Sequence, residues 1–292
     1  MEDQIIGLLT GFQAAEGFPE TLKLGSLTIR RISSAEIEKL INDLPLALTD
    51  RDRTVWRKTT HAIFAVYSDE NRKKMYRVPQ LLRVIRPTEA LVAVVGVQPP
   101  SLTLWSAHPT KIWFMKPYSD VDQIFTAEDA EKITSYYPAY ERLSNHSGYH
   151  RLASACFFFE TFYHSHQIRN SYTTIVTALE ALFNTEHSEV AYKVQLRCAF
   201  FLRQEPQERE RVFDDIKKIY KLRSSLVHGQ SVGKAIYANP AVGVEYAVQA
   251  EEYVRECLQL ILNNNYFDSF SLKDNDLAKK FDALVLGTST TF

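Results

Sequence analysis

Arg223 and His228 stand five residues apart in the run Tyr220-Lys221-Leu222-Arg223-Ser224-Ser225-Leu226-Val227-His228-Gly229, and together they supply the two side-chain types that metal-free phosphodiester chemistry needs. A guanidinium is protonated at any working pH and matches phosphate in geometry, while an imidazole can take up or release a proton near neutrality. The same run also reads as a plain basic helix end. Lys217, Lys218, Lys221 and Arg223 favour the negative end of the helix dipole, and Gly229 falls where a C′ residue belongs. At about 100° per residue the two side chains lie about 140° apart, so one straight helix cannot project them in parallel. A two-fold dimer that paired such helices would bring two arginines and two histidines to one cleft. Tyr220, three residues before Arg223, shares its face and is placed either to stack on a base or to pack against a partner.

The order in which residues recur through the second half extends this pattern. Ala178-Leu179-Glu180-Ala181-Leu182-Phe183 is followed by Glu189, then Arg197-Cys198-Ala199, then Ile219 to Gly229. This set resembles the Apea-like branch of the HEPN superfamily, whose hallmark is Arg, four residues, then His. The resemblance implies an all-helical, dimeric domain and a metal-independent ribonuclease of the defence, abortive-infection or toxin type, a hydrolase with no cofactor. It assigns His228 as general base or acid on a ribose 2′-OH and leaving oxygen, and Arg223 as the stabiliser of developing phosphorane charge, with cyclic phosphate ends as product. Ser224, Glu180, Glu189 and Arg197 match recurring positions as supporting residues, although ion pairing between helices explains a Glu and an Arg equally well. Many nuclease members carry Asn, Asp or His directly after the Arg, where this chain has Ser224.

Bulk properties narrow the class. The 292 residues are 45% hydrophobic and 24% charged, a globular composition with room for one large domain or two ordinary ones. Cys156, Cys198 and Cys257 are odd in number and each lies in apolar sequence, so buried thiols in a reducing compartment are expected. Met1-Glu2-Asp3-Gln4 has no basic n-region and no apolar run approaches the roughly 18 residues of a membrane span, so the reading is a cytoplasmic protein with no membrane contact. The net charge of −1 conceals an imbalance: residues 51–86 hold ten Lys or Arg against three acids, +7, which leaves −8 for the rest. Trp56, Tyr67 and Tyr76 are interleaved with those cations. Such a window can grip a polyanion through phosphate contacts and stacking, with Arg72, Lys73, Lys74 and Arg77 as the nucleic-acid-binding candidates, or can simply be the solvated face of a strand and a helix.

The elements that must position these residues fall into two regimes. Residues 4–32 alternate short apolar runs with glycines and read as strands and turns. Ser33-Ser34-Ala35-Glu36 is a capping box for a helix to about Asp43, Trp56–Tyr67 reads as a strand holding a packing or rim histidine at His61, and Ser68–Asn71 as a turn. Gln80–Ile85 has helical spacing, Ala90–Val97 reads as a buried strand, and Leu102–Trp105 and Lys111–Met115 as two more joined through His108-Pro109. After Thr126-Ala127-Glu128-Asp129, a helix cap, the pattern turns helical, with Pro138 ending or kinking the first helix. Helices are expected over Leu152–Tyr163, Ile168–Phe183, Val190–Leu202, Glu208–Val227 and Val244–Leu262, with an irregular loop at 230–240 and a polar tail from Asn263 whose last residues are mobile. No metal site is read: His146 and His150 are split by Gly148, and His164 and His166 point to opposite sides of a helix.

The sequence therefore predicts an α+β N-terminal domain over residues 1–130, of unknown role, followed by an all-α HEPN-like helical bundle domain over residues 131–292. The favoured reading is an endoribonuclease acting on RNA as a homodimer, under an unknown regulatory partner. The alternative is a non-catalytic dimerising module whose basic window holds nucleic acid or protein.

Overall fold

The computed structural model describes residues 4–44, 48–98, 101–104, 123–145, 148, 150–165, 167–228, 240–289 and 292. The expected strand at Lys111–Met115, the His108-Pro109 joint, His146, His166 and most of the loop at 230–240 lie outside them. The described residues form two compact units, one ending at Glu141 and the other running from Arg142 to Phe292.

The N-terminal unit is built on a six-stranded antiparallel sheet of order β3-β4-β5-β1-β6-β7. Its strands are β1 (Gln4–Thr10), β3 (Thr21–Leu24), β4 (Leu27–Arg31), β5 (His61–Val66), β6 (Leu91–Gln98) and β7 (Ser101–Leu104), while β2 (Gln13–Ala14) pairs in parallel with β8 (Ile124–Phe125). β1 lies between β5 and β6, in register Leu8↔Ala62 and Leu8↔Ala93. Strand alternation sends Leu8, Ala62, Ala93 and Val95 to one face, where α1 (Ser34–Asp43) and α2 (Asp50–Arg57) cover them with Ile37, Leu40, Ile41 and Trp56. The opposite face meets α3 (Asp69–Ile85). Gly7 permits that approach, since a Cβ there would stand 2.7 Å from Val92 Cγ2 and 3.3 Å from Met75 Sδ.

Two elements correct the sequence reading. Trp56 belongs to α2, because Thr49 and Asp52 form a reciprocal capping box that starts a helix at Asp50, six residues before Trp56; the strand begins only at His61. Ser68 starts no turn. Its hydroxyl accepts from Asn71 N at 3.0 Å and caps α3, which continues past Pro79 to Ile85. Arg83 near the end of α3 is buried, its Nη2 donating to Ala90 O at 2.6 Å and its Nε to Thr88 O at 3.3 Å, which fixes the turn into β6.

The boundary between units falls inside α4 (Ala127–Asn145), between Glu141 and Arg142, beyond the position near residue 130 read from the sequence. The first turns of α4 are bound to the N-terminal unit: Asp129 caps the helix with Thr126 and also takes Arg86 Nη2 at 2.8 Å. Pro138 lies within α4 and does not end it.

The second unit packs α5 (His150–Tyr163), α6 (Ile168–Phe183), α7 (Val190–Leu202), α8 (Pro206–His228) and α9 (Pro240–Asn263). The α6 seam of Tyr172, Ile175, Leu179 and Leu182 is wholly buried. Polar ties cross between helices, with Tyr172 OH donating to Gly243 O at 2.6 Å and Tyr163 OH to the buried Glu251 Oε1 at 2.5 Å. Cys198 and Cys257 are buried free thiols, whereas Cys156 is half-buried.

The expected polar tail is instead structured through most of its length. α10 (Phe267–Phe270) and α11 (Asp274–Val285) bury Phe267, Phe270, Leu277, Phe281 and Leu284, and Phe292 closes an aromatic cluster with Phe201, Phe270 and Phe281 at centroid separations of 5.2, 5.0 and 4.8 Å. The phenylalanines are spaced for helical packing, and their aromatic area outweighs the surrounding Asn, Asp and Lys. Phe281→Ala is expected to destabilise the helical unit by about 3–5 kcal/mol, measured by urea denaturation.

His61 is buried and packs edge-on against Phe12 and Phe18 at 5.1 and 5.7 Å, with Nδ1 2.9 Å from Thr60 Oγ1. Burial, reinforced by the Arg31 charge, pushes its pKa down from 6.5 to about 4. The folded state thus favours neutral imidazole. Its contribution is complete above pH 6.5 and is lost as pH falls towards 4. His61→Phe is expected to reduce the loss of stability between pH 6.5 and 4 relative to wild type, as read from urea midpoints; an unchanged slope would contradict this.

Candidate phosphate-binding site on helix α8

Along α8 the apolar stripe of Val212, Ile216, Ile219, Leu222 and Leu226 is buried, and Arg211, Lys217, Lys218 and Lys221 stay in water. Tyr220 and Arg223 lie on the shoulder of that stripe, one turn apart on α8, which packs against α6 and α7. Tyr220 is 9% exposed and Arg223 half-buried. The Tyr220 hydroxyl and the Arg223 Nε are both shielded from solvent and hydrogen-bonded to nothing among the described residues.

Glu180, half-buried on α6, stands beside the Tyr220 phenol. Burial first, and then the Glu180 carboxylate, push the phenol pKa far up, with Arg223 opposing weakly, so Tyr220 is a neutral phenol. No hydrogen bond of good geometry joins the hydroxyl to a described residue. Neither Glu180 nor Arg223 forms an ion pair with a described residue. This sets Arg223 apart from the other inward-turned arginines of the unit. Arg151 donates to Ala181 O at 2.9 Å, Arg203 Nη2 reaches Glu256 Oε2 at 2.9 Å, Arg209 donates to Arg203 O at 2.9 Å, and Arg255 meets Glu251 at 2.5 Å.

His228, the last residue of α8, is exposed. It lies about 7.5 Å along the helix axis from Arg223 and about 140° around it. One chain therefore offers a half-buried cation and an exposed imidazole on different sides of one helix. Ser224 is half-buried, and its neighbour Ser225 is buried and donates back to Lys221 O at 2.9 Å.

The other supporting candidates are directed elsewhere. Glu189 is the residue before α7, exposed and in the left-handed region at φ 54°. Arg197 is buried in a structural role, donating to Phe183 O and Thr185 Oγ1 at 2.9 Å each and to Glu186 Oε1 at 3.3 Å, beside the Phe281 ring. It pins the α6–α7 connection.

In the N-terminal unit the basic window is largely committed to structure. Arg57 pairs with Glu38 at 2.7 Å, Arg72 with Asp69 at 2.9 Å, and Lys74 with both Glu70 and Glu141 at 2.8 and 2.6 Å, while Arg83 and Arg86 hold the contacts already described. Arg51, Lys58, Lys73 and Arg77 have no ion-pair partner among the described residues.

Sequence reasoning missed a second polar centre in the helical unit. Asp215 is buried on α8 and accepts from Gln249 Nε2 and Tyr253 OH of α9 at 2.9 Å each, beneath a cavity of about 270 Å³ lined by Arg203, Arg211, Glu252 and Glu256. Its signal was present: Asp215 falls on the buried face between Val212 and Ile219. Among the described residues, no three His, Cys, Asp or Glu side chains gather as a metal site, and no helix is long and apolar enough to cross a membrane.

No protein-family model matches this chain, and neither a curated protein nor a solved structure matches it.

The division of the basic window is testable. Lys74→Met is expected to destabilise the N-terminal unit by about 1 kcal/mol, because it removes the shielded ammonium that joins Glu70 to Glu141. Lys73→Glu with Arg77→Glu should leave the urea midpoint within about 0.5 kcal/mol and still weaken RNA binding, as measured by fluorescence anisotropy at several salt concentrations.

Proposed function

We propose that the chain is a metal-independent ribonuclease of the HEPN type, in which Arg223 holds the scissile phosphate and His228 moves the proton. The observation that carries this reading is the half-buried Arg223 guanidinium, uncommitted in a unit whose comparable arginines are hydrogen-bonded. A cation held partly out of water without a protein partner is suited to an anionic ligand, and the ordered residue pattern that ends in Arg223 and His228 makes a phosphodiester the natural one.

The proton inventory is short. A ribose 2′-oxygen attacks phosphorus as its proton passes to a base, the bond to the 5′-oxygen breaks, and an acid protonates that leaving oxygen, giving a 2′,3′-cyclic phosphate and a free 5′-hydroxyl. Base and acid must stand on opposite sides of the phosphorus, which two copies of His228 in a two-fold dimer would satisfy better than one. Val227, exposed beside His228, is an apolar side chain suited to that pairing. A defence or abortive-infection role and a cytoplasmic setting belong to the same proposal.

The test is cleavage of a labelled RNA in EDTA by the full chain. Wild type is expected to cut and leave cyclic phosphate ends, and His228→Ala and Arg223→Ala to lose about 10²–10⁴ in rate while remaining folded. Absence of cleavage by wild type, with RNA still bound, would favour a non-catalytic RNA-binding module. Full activity in His228→Ala would overturn the mechanism.

A further inference from the structure

The outer face of α8 carries side chains that neither the core nor Arg223 uses. With Phe213 as origin and about 100° per residue, Lys217 lies about 40° around the helix, His228 about 60° and Lys221 about 80°, so the four share one quarter of its circumference. Phe213 is half-buried and the other three are exposed. At about 1.5 Å per residue, Lys217 stands about 6 Å from Phe213 along the axis, Lys221 about 12 Å and His228 about 22 Å. Neither Lys217 nor Lys221 forms an ion pair with a described residue, whereas Lys218 meets Asp215 at 3.3 Å. The exposed acids of this face, Glu210 and Asp214, sit beside Phe213 at the end remote from His228.

That remote end is aromatic. Tyr192 of α7 meets Phe213 with ring centroids 5.8 Å apart and planes at 78°, and it keeps 54% of its surface in water. An edge-to-face contact covers at most one face of one ring, so Phe213 braces Tyr192 and still leaves it ring surface open to solvent. An open aromatic ring followed by uncommitted cations is what single-stranded nucleic acid uses: bases stack on the ring while ammonium groups follow the phosphates.

We infer that this face of α8 is a substrate track for single-stranded RNA, in which Tyr192 stacks a base, Lys217 and Lys221 hold the phosphate backbone, and the strand is led to His228. The inference rests on the reading of His228 as the proton-transfer group, and adds the class of RNA and the side from which it reaches that group. At about 3.4 Å per nucleotide of stacked strand, the distance of about 22 Å from Phe213 to His228 accommodates about six or seven nucleotides. Stacking on Tyr192 takes any base, because every base has a π-face, so the track binds without regard to sequence.

The experiment follows, by anisotropy at several salt concentrations, the binding to the full chain of a labelled 2′-O-methyl oligoribonucleotide about seven nucleotides long. This probe carries phosphodiesters but cannot form the cyclic product. Tyr192→Ala is expected to weaken binding about ten-fold and Tyr192→Phe to bind as wild type. Tyr192→Leu keeps an apolar side chain against Phe213 but has no ring to stack on, so it should be as weak as Tyr192→Ala; a merely structural role would be rescued by it. Lys217→Gln with Lys221→Gln should make the salt slope shallower by about 1.4, the loss of two single-strand phosphate contacts, while Lys23→Gln with Lys39→Gln, equally exposed lysines of the N-terminal unit, should leave it in place. Unchanged affinity in Tyr192→Ala, full rescue by Tyr192→Leu, a slope changed no more by the track lysines than by the other pair, or no binding by wild type overturns the track. If the variants behave as expected but wild type leaves unmethylated RNA uncut, the track stands as a binding surface and the ribonuclease reading falls. If wild type cuts RNA and the variants bind as it does, the ribonuclease stands and the track falls.

Discussion

A charge withdrawn from water must find an opposite charge or a full set of hydrogen bonds, and nearly every tie within the helical unit follows from that requirement. Arg197 holds the α6–α7 connection through two oxygens at 2.9 Å, Arg203 clasps Glu256, Glu251 gathers Tyr163 and Arg255, and Asp215 takes Gln249 and Tyr253. Each of these groups is fixed because leaving it would strand a partner. Arg223 departs from the pattern. Its Nε is shielded and bonded to nothing described, one turn from a buried phenol in the same condition. The proposed chemistry starts from that departure, since a group already satisfied by protein has little left to offer a phosphate.

The N-terminal unit shows the same constraint working against a sequence-level expectation. Ten cations in 36 residues suggest a polyanion surface, yet Arg57, Arg72, Lys74, Arg83 and Arg86 are each held by an acid or a carbonyl. The +7 excess arises because many of the balancing groups lie outside the window: Glu38, Asp129 and Glu141 are remote in sequence and adjacent in space. Local charge counting overstates free charge wherever long-range pairing is common.

What was legible in the sequence was whatever local pattern determines. The capping boxes at Ser33 and Thr126 and the helices at Ile168–Phe183 and Val190–Leu202 appear where their spacing puts them, because N-terminal side-chain bonds and an apolar stripe act within a few residues. Trp56 was misplaced because its aromatic character suits a strand, while the Thr49–Asp52 box that decides the matter lies seven residues upstream. The tail after Asn263 was misread because its charged residues mask Phe270, Phe281 and Phe292, which join Phe201 in one cluster only in three dimensions. At the site, Arg223, His228 and Tyr220 were legible as a motif. That Glu180 adjoins Tyr220, and that Arg197 is held in a separate network, depends on how α6, α7 and α8 pack, and no spacing within one helix encodes it.

The most direct test of the central claim is the ¹H–¹⁵N spectrum of the arginine side chains, with the Arg223 Nε–H assigned by substitution, recorded as a 2′-O-methyl oligoribonucleotide is added. If Arg223 is the uncommitted cation that receives phosphate, its Nε–H resonance moves and sharpens with saturable binding, while those of Arg197 and Arg255, already held by protein, stay in place. Shifts confined to Arg203 or Arg211, at the cavity above Asp215, with Arg223 unmoved, would contradict the claim and move the anion site to the other face of α8.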